Sequence, residues 1–88
     1  MFQRQIDPDT AAPVQASAIP DVLFERGLYW ASGRSGVVNL IAAHMWFNLA
    51  ALKGRTDAIP LRREVAEMMS EVEIAMAQRE ARAWMTAH

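Results

Sequence analysis

Few side chains in this sequence stand where chemistry could start. His44 is the one interior histidine, and Asn48, four residues on, shares its helix face. A polar pair at that spacing could hold a small ligand, while the ordinary alternative is a packed or half-exposed histidine whose polar atoms are satisfied. No second histidine or suitably spaced carboxylate completes a metal set around it, since His88 is the last residue. Glu64, Glu67, Glu71, Glu73 and Glu80 could pair as general acid and base, but they are read as alternating with arginines on solvated helix faces. The turn "GRSG" (33–36) is too short for a phosphate loop and has no following lysine. Arg34 beside it could meet an anion or simply be solvated. Tyr29 and Trp30 are adjacent, so they must leave a helix in different directions. An exposed Tyr29 beside Arg26 would make a contact anchor. The candidate partner contacts are therefore Arg26, Tyr29, His44 and Asn48. No residue is assigned a catalytic, cofactor-binding or metal-binding role.

The bulk of the chain sets what must position these groups. Its 88 residues suit one small domain, and 52% hydrophobic content with sixteen alanines favours a folded helical protein. A net charge of −1 supplies no field for phosphate backbones, so nucleic-acid binding is not expected. The absence of cysteine excludes disulfides, thiolate zinc sites and cysteine nucleophiles. The opening MFQRQIDPDT lacks the layout of a secretory signal, which makes the cytoplasm the expected location. The uncharged run from Ser35 to Leu52 is marginal in length for a membrane span and carries Asn39, His44 and Asn48, each costly in lipid.

Residues 1–20 are expected to form an extended arm. Pro8, Pro13 and Pro20 each remove a backbone donor, and Ile6 and Val14 are the anchors that would dock it. Asp21 then caps a first helix that Gly33 stops. Asn39 caps a second helix that Gly54 ends. Asp57 caps a third, with Pro60 tolerated in its first turn and Leu61, Val65 and Met68 forming one apolar stripe. Ser70 with Glu73 has capping-box spacing and starts a fourth, although one continuous helix through Met69 is the competing reading. Ile74, Ala77, Ala81 and Trp84 share a face of that last helix. The expected fold class is all-α: two antiparallel helical hairpins side by side.

The second helix is apolar nearly all round, as a helix enclosed by others would be. Its alanines permit close backbone approach, its rings fill the gaps that remain, and Gly27 on the first helix allows the same contact. "GLYWASGR" followed by "AAHMWFNLAALKG" resembles a Sel-one-like repeat, a subfamily of tetratricopeptide-type repeats. Gly27, Trp30 and Gly33 match the first helix of the pattern and its stop. Ala43, Trp46, Phe47, Ala50, Ala51 and Gly54 match the second. Residues 57–85, ending near Trp84, look like the partial second unit and closing helix of short bacterial relatives. The sequence departs from the pattern at Arg26, Ser35, Gly36 and Asn39; Arg26 places a charge near a core stripe, so its stem must lie along apolar surface. The resemblance divides residues 21–88 into one repeat (21–54) and a partial second (55–88). It implies a short right-handed α-solenoid and an adaptor without catalytic residues or cofactor.

The expected function is a small protein–protein interaction module, either an adaptor or a self-associating subunit. The alternative is a small-molecule carrier or minor enzyme using His44 with a nearby carboxylate, and a third reading is the terminal cap of a larger array. Such stacks normally need at least three repeats, and a core this small rarely supplies more than about 3–5 kcal/mol. A second copy or the arm is therefore expected to cover the spare apolar surface, with a homodimer as the leading form.

Overall fold

Each helix boundary has a local cause. A computed structural model describes residues 8–88, with side chains from Ile19 onward. Four helices and no strand occur among the described residues: α1 (Pro8–Ser32), α2 (Leu40–Leu52), α3 (Ala58–Ala66) and α4 (Glu71–Ala87). Asn39 has an extended backbone, and its Oδ1 accepts the Ala42 N–H at 3.0 Å to begin α2. Gly33 after α1 (φ +80°) and Gly54 after α2 (φ +108°) take the left-handed conformation that ends a helix cheaply only with glycine. At Ser70 the capping box is complete. The Glu73 N–H donates to Ser70 Oγ at 3.1 Å, and the Ser70 N–H donates to Glu73 Oε1 at 2.8 Å. The chain therefore breaks there instead of continuing as one helix.

Four expectations need correction. The extended arm is not what the described part of residues 1–20 adopts: α1 is already helical at Pro8 and runs through Pro13 and Pro20. Pro8 occupies the first helical position, where an N–H would lack a partner anyway. Each later proline removes one hydrogen bond, and Ala11, Ala12, Ala16 and Ala18 supply strong helix formers around them. Asp21 is thus inside a helix and caps nothing. Val14 lies within α1, and Ile6 lies outside the described residues.

Asp57 does sit at the start of α3, but its side chain makes no capping bond. The first amides of α3 are served otherwise, Ala58 N–H by Arg55 O and Ile59 N–H by Thr56 O, both at 3.1 Å, while Pro60 has none. Finally, the stripe through Met68 fails because α3 ends at Ala66. Met68 is 64% exposed in the turn, and Met69 packs on the core in its place.

Residue pairings give the topology. Trp30 pairs with Asn39, Gly27 faces Phe47, and Asp21 meets Arg55, so α1 and α2 are antiparallel. Arg62 on α3 donates to Asn48 Oδ1 at 2.7 Å as α3 runs back along α2. Ile41 and Met45 share a cleft with Met76, and Trp46 meets Trp84, so α4 runs parallel to α2. α2 packs against all three other helices and is the hub of the fold.

The core centres on that hub. Leu23 and Phe24 of α1, Ala43, Phe47, Leu49 and Ala50 of α2, Ala58 and Val65 of α3, and Ala81 of α4 are buried together. A Cβ built on Gly27 would lie 2.5 Å from the Phe47 ring, so only glycine admits the close approach of α1 to α2. Enclosure of α2 is incomplete, however. Met45 and Trp46 are half-buried along the contact with α4, and Leu52 in the last turn is 61% exposed.

Candidate interaction surface

The structure separates the candidate contact residues into an interior pair and a surface row. His44 is only 3% exposed and its Nδ1 has no hydrogen-bond partner. Burial, and then the nearby Arg62 guanidinium, pull its pKa below the usual 6.5 and keep the ring neutral. Asn48 does share its face, but its carbonyl oxygen is already held by Arg62. As placed, His44 offers a partner nothing to touch.

The surface row is built from three helices. The Arg26 guanidinium of α1 lies 4.9 Å from the Trp46 ring centroid. This is how a charge near a core stripe is accommodated: the stem crosses apolar surface and the head rests on an aromatic face. Trp46 meets Trp84 of α4 edge-on at 6.0 Å, and Trp84 stacks on His88 at 4.3 Å. His88 Nδ1 also lies 2.9 Å from the Trp84 carbonyl oxygen one turn back, which fixes that stack.

Beside this row opens a cleft of about 370 Å³. Its walls include Ile19 and Val22 of α1, Arg26, Lys53 at the end of α2, and Trp84 with His88. Apolar and aromatic surface is thus edged by the cations Arg26 and Lys53, with no Asp or Glu side chain in the lining among the described residues. The arrangement suits an apolar group that carries negative charge. Tyr29 is exposed, as its position beside the half-buried Trp30 requires, and it meets Trp30 edge-on at 5.1 Å. It faces a second, shallow depression of about 470 Å³ shared with Asp21, Glu25 and Arg34. Arg34 is tied to its own turn through Ser32 Oγ at 3.2 Å.

Three contributors escaped sequence reading. Lys53 reads only as the end of a helix, and His88 as a chain end, although the Trp84–His88 spacing of four marks a same-face pair. Arg55 had no assigned role, yet it holds both aspartates that were expected to cap helices. Its Nη1 reaches Asp21 at 2.8 Å and its Nε reaches Asp57 at 2.8 Å, with the guanidinium 3.9 Å from the Phe24 ring centroid.

Among the described residues no three His, Asp or Glu side chains come together as a metal set, and no helix is long and apolar enough to cross a membrane. Compared with known proteins, the chain matches no family model, no curated protein and no solved structure.

Proposed function

We propose that this chain is a small helical-repeat interaction module, an adaptor or self-associating subunit without catalytic activity of its own. In this reading α1–α2 is one Sel-one-like repeat and α3–α4 a partial second, stacked as a short right-handed solenoid. The antiparallel α1–α2 pair and the parallel course of α2 and α4 support the stacking. The observation that carries the function is the Arg26–Trp46–Trp84 row beside the cationic, apolar cleft. Tryptophan and arginine are the residue types that most often dominate binding energy when a partner covers them. The carrier reading draws on the unpartnered Nδ1 of His44, but the clefts around α1, α2 and α4 described here are lined without that residue.

Capture experiments test the proposal. Tagged full chain and an Arg26→Glu/Lys53→Glu variant are compared for the proteins they retain, this chain included. A set held by the parent and lost by the folded variant is expected. Identical retention by both would place recognition elsewhere.

A further inference from the structure

The cleft has a counterpart on the same molecule. Glu67 and Met68 in the turn after α3, with Glu71 and Val72 opening α4, form an exposed corner of opposite character. Val72 and Met68 are the most exposed large apolar side chains among the described residues, at 69% and 64%. From Glu64 to Gln78 the chain has four glutamates and no lysine or arginine, so the expected alternation with arginines does not hold there. Glu73 is used in the capping box, whereas neither Glu67 nor Glu71 forms an ion pair among the described residues. Among the described residues the fold leaves uncovered a cationic apolar cleft and an acidic apolar corner.

We propose that the corner of one copy docks in the cleft of the next. Met68 and Val72 enter against Ile19, Val22 and Trp84, and the carboxylates of Glu67 and Glu71 reach Arg26 and Lys53. Apolar burial supplies affinity, and the opposed charges set orientation. Within one copy the two sites cannot meet. They lie toward opposite ends of α4, with residues 71 and 84 about 20 Å apart along its axis. Joined head-to-tail, each dimer keeps one free cleft and one free corner. An acidic apolar peptide from another protein would satisfy the same cleft. A second copy is favoured because this chain carries the matching corner, uncovered and acidic. The inference rests on the interaction-module reading and names its partner.

Sedimentation of the full chain across concentration and salt tests it. Growth beyond dimer with concentration is expected, weakening at least about tenfold as ionic strength rises from about 0.05 to about 0.5 M. Lys53→Glu disables the cleft, and Glu67→Gln/Glu71→Gln disables the corner. Each alone should stay monomeric, with far-ultraviolet circular dichroism confirming unchanged helix content. Mixed, they still offer one intact corner and one intact cleft, so a 1:1 dimer that grows no further is expected. Two results would overturn the proposal: a parent chain monomeric at all concentrations, or variants that fail to pair when mixed. Should another protein still be captured through Arg26 and Lys53 in that event, the module reading survives and only the self-docking partner is wrong.

Discussion

The two long seams of α2 are built on different rules. Toward α1 the contact is made from Gly27 and Ala43 around the buried Phe47, so the backbones approach closely and water is excluded. Toward α4, buried Ala81 joins the core, while half-buried Trp46 and Trp84 meet edge-on at its rim with clefts open on either side. Small residues around one ring give a dry seam that fixes the fold. Large rings touching at their edges leave surface available to something else. Stability and recognition are thus placed on adjoining faces of one helix.

Breaking the dry seam should have the largest effect. Phe47→Ala removes a fully buried ring and should cost about 3–5 kcal/mol, comparable to everything a core of this size supplies. Denaturant titration followed by circular dichroism measures this. Gly27→Ala should follow at about 1–3 kcal/mol, because the added methyl overlaps a ring that cannot retreat. Better helix propensity, about 1 kcal/mol, offsets only part of that loss. Trp84→Ala probes the open seam and should cost about 1–2 kcal/mol, below the range for a fully buried tryptophan, while abolishing capture through the cleft. A Trp84 variant less stable than the Phe47 variant would reverse the assignment of the two seams.

The smallest effect expected is the pH dependence contributed by His44. Its folded pKa is lowered, first by burial and then by Arg62, so the unfolded chain binds the proton more readily. The contribution is fully present above pH 6.5, the unfolded value, and is lost as pH falls from there toward the lowered folded pKa. Thermal melts across that window should show a declining midpoint that His44→Leu flattens. An equal slope in both proteins would mean that His44 is not held neutral by the fold.

What could be read in advance follows from how far apart the causes lie in the chain. The Asn39 cap, the Ser70–Glu73 box and the stops at Gly33 and Gly54 depend on residues within a turn of one another, and each appears where its spacing places it. The close approach at Gly27 was also legible, but that Phe47 is the ring it meets was not. The aspartate caps failed because a capping preference is weak, worth about 1 kcal/mol, and Arg55 offered both carboxylates charged donors instead. The prolines misled because a helix interrupted at single hydrogen bonds can still form when its neighbours are alanines. The cleft was invisible as a unit: Val22, Lys53 and His88 are adjacent only once α1, α2 and α4 have assembled.

Arg55 also ties the leading helix to the body. The bridge from its guanidinium to Asp21 fastens α1 to the loop between α2 and α3, and the same group secures Asp57 within that loop. Tension drawn along α1 toward its start loads this clasp before it loads the contact of Gly27 with Phe47. The loop from Lys53 to Asp57 is then the fuse of the molecule, yielding while the seam around Phe47 still holds.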